Sequence, residues 1–515
     1  MRAIQLTGRS SVAGAGLLLA ALVGAGAAVM PLPSLLVAFA LTVVTLAFHF
    51  GDRLPLVFLG ALGVCLCGYT FMGKGFAYVG VPPVFIGEIV LTLGVLAAIF
   101  GGGVWPAFRS PVVWLIVAFA LWGAARTVPY LGTYGIDALR DATIWGYGLF
   151  AILVAGFVLR YRALAPALSA YARWFWWSAF WSPIAGAIFR LAESSIPHVP
   201  GQSDIPVLFV KAGDSAVQLA GVAAFVLVGL AEPIQAQLRR PAWLEWAWWG
   251  AWFGGLAISG AASRGGLMSV FVAVATVLVL RRRVRWWKPA LVSVLFAVVF
   301  VGSDVTLNAG QERTVSSRQI AANIRSIFGV RTQESNLDET RTWRLNWWSD
   351  IIGYTVHGPY FWTGKGFGVN LADDDGYQGT ERGIPNRHPH NVQMMVLAHA
   401  GVPGLALWSL LQLTFGGSLL VACVRARREG REAWARVNVW ILAFWLAFMA
   451  NAAFDVFLEG PQGGIWFWSL MGFGIAALET QRQQRYALAA PGERARAGWG
   501  GDASVPAAAA VAAWS

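Results

Sequence analysis

Long apolar runs recur along nearly the whole chain, and they constrain its fold more than any other feature. Each run has about 17–25 residues, enough for a helix to cross a hydrocarbon core of about 30 Å. We count about fourteen such runs, the first over residues 11–29 and the last over 463–478. Because lipid offers the backbone no hydrogen-bond partners, these runs must be helical. The sequence therefore predicts an all-α polytopic membrane protein with about 12–14 transmembrane helices.

The composition excludes a soluble globular protein. Apolar residues make up 57% of the chain and charged residues only 12%, whereas soluble domains have about 25% charged residues. The first apolar run continues directly into further runs, so we do not interpret the N-terminus as a cleavable signal.

Lysine and arginine are concentrated in alternate connections, which predicts the orientation of the chain. With the N-terminus inside, the connections after the even-numbered spans hold most of the 38 lysines and arginines, as the positive-inside rule requires. Both termini are then cytoplasmic, and a bacterial inner membrane is the default location. The net charge of +12 follows mostly from this topology, so the partner is the lipid bilayer and no nucleic acid is needed.

One long connection interrupts the series of spans and divides the chain into four parts. We predict N-terminal transmembrane helices over 1–303, a large outside loop over 304–390, C-terminal transmembrane helices over 391–486 and a disordered cytoplasmic tail over 487–515. A connection as long as 304–390 is usually functional. The sidedness derived above makes this loop periplasmic.

The loop itself contains helix signals. Ser316 and Gln319 form a capping-box pattern that opens a first helix, with Gly329 as its stop. Ser335 opens a second helix through Tyr354. Basic and apolar side chains recur on one of its faces at helical spacing: Arg341, Arg344, Trp348 and Ile351.

The end of the loop carries the strongest candidate for catalysis. His388-Pro389-His390-Asn391 is followed, after nine residues, by Gly401-Val402-Pro403-Gly404, which places an imidazole at the mouth of a bundle with a helix and a tight break behind it. His390 can accept a proton near neutral pH. Two alternatives are a helix N-terminal residue bonded to loop backbone, and a metal site of His388 and His390 with the nearby aspartates; we predict no metal.

Four arginines are candidates for binding a phosphate group. Arg264 lies between two spans before two glycines, where a buried guanidinium needs an anion, although it could instead extend to the lipid headgroups. Arg140 could simply pair with Asp141. The alternative for Arg341 and Arg344 is a solvated helix face.

Three further features have simpler explanations. Glu88 lies near the outer end of a span and is predicted to face the bundle interior. The segment 364–368 has neither a P-loop nor a dinucleotide-binding spacing and is interpreted as a tight turn. Residues 373–375 are three aspartates that we expect to be solvated, and the tryptophans are interpreted as interfacial belts.

The combination of a large loop near the C-terminal end, Ser263-Arg264-Gly265-Gly266 before a span, and His-Asn-x9-Gly-x-x-Gly resembles the O-antigen ligase and polymerase superfamily. The resemblance covers about residues 250–420. It implies a GT-C-like fold and a metal-independent glycosyltransferase without a cofactor. It also implies transfer of a glycan from undecaprenyl diphosphate to lipid A core, growing polysaccharide or protein. The chain departs from the family in its larger number of spans and in the additional His388.

The resemblance also implies roles for the candidate residues. His390 would accept the proton of the acceptor hydroxyl, supported by Asn391, His388 and Glu88. The leaving diphosphate would be bound by arginines, namely Arg264, Arg140, Arg341 and Arg344.

Two other classes of protein remain open. A transporter or flippase of lipid-linked glycan would need polar groups near mid-membrane, and apart from Glu88 and Asp455 the sequence offers few. A scaffolding subunit of an export complex is the other. Within the enzyme class, the sequence does not separate a ligase from a polymerase or a protein-glycosylating transferase.

Overall fold

A computed structural model describes residues 51–81, 84–201, 205–281, 286–303, 306, 315–327, 335–381 and 384–489. The predicted spans over 11–29 and 32–48 and the tail after residue 489 lie outside the described residues. The chain divides into two compact units, one of Met1–Phe58 with Thr92–Gly102 and the other of Leu59–Leu91 with Gly103–Ser515. In the first unit, the described turn at Gly101 packs closely on the backbone of Gly51. All the candidate residues belong to the second.

The described ranges are almost entirely helical. Their α-helices are α1 (Leu54–Phe71), α2 (Ile86–Leu96), α3 (Pro111–Thr127), α4 (Leu131–Tyr134), α5 (Ile136–Asp141), α6 (Thr143–Gly146), α7 (Gly148–Arg160), α8 (Leu164–Trp174), α9 (Ser178–Ala192), α10 (Ala212–Leu227), α11 (Glu232–Gln237), α12 (Ala242–Ala262), α13 (Arg264–Leu280), α14 (Trp287–Gly302), α15 (Ser317–Ile327), α16 (Ser335–Val356), α17 (Leu371–Asp374), α18 (Val392–Arg428), α19 (Glu432–Ala452) and α20 (Pro461–Ala489). Two antiparallel pairs of very short strands accompany them: β1 (Gly80–Val81) with β2 (Val84–Phe85), and β3 (Thr380–Glu381) with β4 (Ile384–Pro385).

The predicted fold class, an all-α polytopic membrane protein, is confirmed. Within the described ranges, 5 helical segments are long and apolar enough to cross a membrane: Gly51–Phe71, Pro111–Tyr134, Thr143–Arg160, Val392–Arg428 and Glu432–Ala452. Four shorter apolar helical segments, Ile86–Gly101, Ala212–Leu227, Arg264–Leu280 and Trp287–Gly302, coincide with further predicted spans. The total number of spans, the GT-C-like arrangement and the four-part division stay predictions.

Several helix ends meet on the same side of the second unit. The first turn of α13 packs on the last turn of α19, where a Cβ on Gly265 would lie 3.1 Å from Oδ1 of Asn451. Thr143, at the start of α6, donates a hydrogen bond to the carbonyl of Glu459, just before α20. These contacts bring the helix ends at which the candidate residues lie close to the connection between α19 and α20.

The predicted break behind His390 is present in α18. Gly401 has φ +68°, and its backbone interrupts the helix. The turn at 364–368 docks on this break, because the backbone N–H groups of Lys365 and Gly366 donate to the carbonyls of Ala398 and His399 at 2.7 and 3.0 Å. The turn thus satisfies carbonyls that the break leaves without helical partners.

We expect Gly401→Ala to destabilise the protein. Its positive φ disfavours a side chain, and a Cβ would lie 2.6 Å from the carbonyl oxygen of Phe361. Strain of this kind costs about 1–3 kcal/mol, which thermal unfolding of the purified protein would report as a lower midpoint. The control is Gly417→Ala in the same helix, where no atom lies within 4 Å of the added Cβ. Equal midpoints for the two variants would show that the break is not required.

The two predicted loop helices are α15 and α16. The hydroxyl of Ser316 accepts a hydrogen bond from the N–H of Gln319 at 3.1 Å, as a capping box requires. The predicted stop at Gly329 lies outside the described residues. The amide of Asn323 on α15 donates to the carbonyls of Gly260 and Ala261, so α15 caps the C-terminal end of α12 immediately before Arg264.

Candidate functional site

The imidazole of His390 faces a carboxylate from a distant connection. Its Nδ1 lies 3.8 Å from Oδ1 of Asp455, and its side chain is 11% exposed. The backbone of His390 has φ +52°, a left-handed conformation that is uncommon outside glycine and is often found at functional sites. The side chain of Trp348 donates to the carbonyl of Pro389 at 2.8 Å and fixes the chain just before His390.

Two cations hold the connection that carries Asp455. Lys211, immediately before α10, lies 2.9 Å from Oδ2 of Asp455 and also donates to the carbonyl of Val456 at 2.8 Å. Nη1 of Arg344 on α16 donates to the carbonyl of Phe454 at 2.7 Å. Burial alone would raise the pKa of Asp455, but Lys211 and His390 hold it well below its usual range. Asp455 is therefore a carboxylate at neutral pH, suited to orient and stabilise a charged imidazole.

Arg264 starts α13 beside this connection. Ser263 is the N-cap, and its hydroxyl accepts a hydrogen bond from the N–H of Gly266 at 3.0 Å. Gly265 packs against Phe454, whose Cβ would lie 3.2 Å from an added Cβ. Arg264 is half-buried, and the contact of Gly265 places the start of α13 beside the connection that carries Phe454 and Asp455. The N-terminus of α13 adds a partial positive charge to this region.

Buried polar groups around this connection have hydrogen-bonding capacity left over. Within the described residues, both side-chain polar atoms of Asn451, Oδ1 of Asp214 and Oε1 of Glu459 are buried without a hydrogen-bond partner. Burial raises the pKa of Glu459 to about 7, although its other oxygen accepts the N–H of Phe457 at 2.8 Å. Such groups are costly unless something polar meets them, which makes this a place suited to a polar ligand.

His388 belongs to a separate buried network. Arg387 donates to both oxygens of Asp141, at 3.1 and 2.9 Å, and to the carbonyl of Gly368 at 2.7 Å. Nε2 of His388 lies 3.8 Å from Oδ1 of Asp141. Burial lowers the pKa of His388 to about 3, so it is neutral at physiological pH. The ion pair of Arg387 with Asp141 attaches the end of the loop to α5. Removing one partner of a buried ion pair lowers the free energy of unfolding by about 3–5 kcal/mol.

The other candidate residues lie in different environments, and not all of them are near His390. Asn391 is the N-cap of α18 and accepts the N–H groups of residues 393 and 394 at 2.9 and 3.1 Å, so its contacts are structural. Glu88 accepts the hydroxyl of Tyr147 at 2.6 Å within the packed helices, as predicted. Arg341 is exposed and does not share the contacts of Arg344.

Several interpretations from the sequence need correction. Arg140 is exposed, and Asp141 pairs with Arg387 rather than with Arg140. Asp455 lies beyond the end of α19 rather than inside a span. Asp375 is not solvated: its side chain is only 3% exposed and pairs with Lys365, while the neighbouring Asp374 is exposed as expected.

The structure does not bring His388 and His390 together as ligands of one metal ion. His388 faces Asp141, whereas His390 faces Asp455. In the ranges that the structure describes, no group of three or more histidine, cysteine, aspartate or glutamate side chains is arranged to hold a metal ion.

Sequence reasoning did not identify Lys211 and Glu459 of the site around Asp455, nor Arg387 of the separate network around Asp141. Lys211, Glu459 and Arg387 each lie in a connection between helices, and their partners come from distant parts of the chain. The one available signal was their position within a few residues of a span end, which many surface charges share.

The fold and the site define a polytopic all-α membrane protein in which an imidazole and several cations meet at one end of a helix bundle. Residues 249–409 match the family model described as O-antigen ligase. The segment includes Arg264, Arg344, His390 and the break at Gly401. The predicted resemblance to the O-antigen ligase superfamily is therefore confirmed for this segment, which supports glycan transfer of the ligase or polymerase type. No curated protein sequence matches the chain.

Proposed function

We propose that this protein transfers a glycan from an undecaprenyl-diphosphate-linked donor to a hydroxyl of an acceptor on the outer leaflet of the bacterial inner membrane. The acceptor is lipid A core, a growing polysaccharide or another glycan-accepting molecule. The observation that carries the proposal is the convergence of His390, Arg264 and Arg344 on the connection around Asp455, inside the segment that matches O-antigen ligase.

In the proposed reaction, the acceptor oxygen forms a bond to the anomeric carbon while the bond from that carbon to the diphosphate oxygen breaks. His390 takes the proton of the attacking hydroxyl, and Asp455 stabilises the resulting imidazolium. Arg264 and Arg344 neutralise the charge on the departing lipid diphosphate. This direct displacement inverts the configuration at the anomeric carbon.

The other two candidate arginines, Arg140 and Arg341, would act on the donor at a distance. Arg140 and Arg341 are exposed, so they would attract the donor through the field at the membrane surface rather than through a fixed contact. Guanidinium groups suit this reaction because they bind phosphate oxygens in pairs.

The sidedness of the site comes from the lysine and arginine distribution. The connections that hold His390 and Asp455 belong to the predicted periplasmic side, and both termini to the cytoplasmic side. Nucleotide sugars are absent from the periplasm, which favours a donor that brings its own lipid diphosphate leaving group.

Transfer by the purified protein in detergent micelles tests this function against transport. A micelle separates no compartments, so a transporter or flippase has no net reaction to carry out there. We expect a synthetic undecaprenyl-diphosphate glycan and a lipid A core oligosaccharide or matching glycan acceptor to yield a covalent conjugate, measured by mass spectrometry. Movement of the donor across liposome membranes without any conjugate in micelles would instead support a flippase.

A further inference from the structure

A compact group of aromatic side chains lies on the loop beside His390. Trp347 and Tyr377 stack with their ring centroids 5.3 Å apart and their planes at 6°. Trp343 meets this pair edge to face, 5.1 Å from Trp347 and 6.2 Å from Tyr377. The ring of Trp343 is also 6.1 Å from the imidazole of His390, so it lies between the stacked pair and the candidate base.

Hydrogen bonds hold the two stacked rings, Trp347 and Tyr377, in place. The indole N–H of Trp347 donates to Oδ2 of Asp375 at 2.6 Å, and the hydroxyl of Tyr377 donates to Oδ2 of Asp350 at 2.5 Å. Asp375 is in turn paired with Lys365. The stacked pair is therefore fixed before any ligand arrives, and Trp343 packs against it, which lowers the entropic cost of binding.

The position of the group does not suit a membrane-interface belt. Its two tryptophans lie on α16, a charged helix that is not among the candidate spans of the described ranges, and Tyr377 lies in the connection after α17. Trp347 is fully buried, while Trp343 and Tyr377 are partly exposed. The exposed Asn346 and Asp350 lie three and seven positions after Trp343, on the same helical face.

From this geometry we infer that Trp343 and Tyr377 form a binding surface for a pyranose ring of the acceptor glycan. The negative face of an aromatic ring attracts the slightly positive C–H groups of a sugar, and Asn346 and Asp350 are placed to bond its hydroxyls. A few polar groups around fixed aromatic rings are typical of small-molecule sites. The acceptor is the substrate assigned to this surface because its hydroxyl must reach His390. This inference rests on the proposed function.

The first experiment measures sugar binding without any transfer. Saturation-transfer NMR is recorded on the full-length protein in nanodiscs with cellobiose, lactose and N,N′-diacetylchitobiose. We expect the ring C–H protons of at least one disaccharide to receive saturation. The signal should be lost in Trp343→Ala, and largely kept in Trp343→Phe and in the control Trp362→Ala, which removes an exposed loop tryptophan. No signal from any of the three sugars, or an undiminished one in Trp343→Ala, would overturn the inference.

The second experiment separates acceptor from donor. In the transfer assay, we expect Trp343→Ala to raise the KM for the acceptor about tenfold, as loss of aromatic contacts of this kind implies, with the KM for the donor unchanged. Tyr377→Ala is the second variant if Trp343→Ala does not purify as a monodisperse protein. Equal increases in both KM values contradict an acceptor surface.

The two proposals can fail separately. If saturation transfer depends on Trp343 but the protein never forms a conjugate, the sugar-binding surface is supported and the proposed transfer is refuted. Conjugate formation with neither a sugar signal nor an acceptor effect refutes the surface alone.

Discussion

His390→Ala abolishes glycan transfer while the protein remains at wild-type abundance in the membrane: this is the expected result with the largest effect. The substitution removes the proposed base, and a positioned base contributes about 10²–10⁴-fold to a rate. His390 faces the carboxylate of Asp455 and the ring of Trp343, and it lies on the connection before α18 rather than in the packed interior of a helix pair. Transfer is measured in membranes and normalised to abundance by immunoblot.

Two other histidines serve as comparisons. His357→Ala removes an exposed imidazole of the same loop and should leave transfer unchanged. His388→Ala should reduce abundance or thermal stability, since His388 is buried in the network of Asp141, with a milder loss of transfer per molecule. Wild-type transfer by His390→Ala at equal abundance would exclude His390 as the base.

Asp455 acts in this account as a positioning residue for His390. Asp455→Asn should lower kcat with little change in the KM for either substrate, because the carboxylate stabilises charge that forms only during the reaction. Asp455→Glu should recover part of the kcat because it keeps the negative charge beside the imidazole, whereas Asp455→Asn keeps the size of the side chain and loses the charge. A proportional loss of folded protein with normal kcat would contradict this role.

Arg264→Lys should lose most of its activity although the positive charge survives. We expect Arg264 to bind the diphosphate through two parallel hydrogen bonds, which an ammonium group on a flexible stem does not reproduce. Losing a charge-assisted hydrogen bond costs about 1.5–3 kcal/mol, so the rate should fall about tenfold to hundredfold if the bond strengthens in the transition state. The measurement is the rate of transfer from a synthetic lipid-diphosphate donor.

Arg325→Lys is the matched control, because Arg325 is exposed on a loop helix of the same side. It should retain full activity, whereas Arg264→Ala should be worse than Arg264→Lys. Near-full activity of Arg264→Lys would mean that position 264 supplies only charge. Loss of wild-type activity in EDTA would reopen the metal interpretation of the histidines.

Features that depend on neighbouring residues could be predicted from the sequence. The apolar runs predicted α13, α14 and α19 to within about one helical turn. The capping pattern at Ser316 and the break at Gly401 were also predicted correctly. Each of these features depends on backbone hydrogen bonding or on contact with lipid within a short stretch of chain. The residues of that stretch can be read directly from the sequence.

Pairings between distant connections could not be predicted in this way. Arg387 and Asp141 are 246 positions apart, and nothing in either local pattern selects the other. Asp375 was interpreted as solvated because aspartates usually are, but Lys365 and Trp347 together satisfy it in a buried place. The interfacial-belt interpretation does not fit Trp343 and Trp347 of α16, whose contacts with Tyr377 exist only after the loop has folded.

The most direct test of the central claim, a direct displacement of the lipid diphosphate by an acceptor hydroxyl, is the configuration of the new glycosidic bond. The purified wild-type protein receives a donor whose reducing-end sugar is α-linked to undecaprenyl diphosphate, and the isolated conjugate is analysed by NMR. We expect a β-linkage only, with one undecaprenyl diphosphate released for each conjugate formed. An α-linkage would contradict the account, because attack of the acceptor hydroxyl from the face opposite the diphosphate must invert the anomeric carbon.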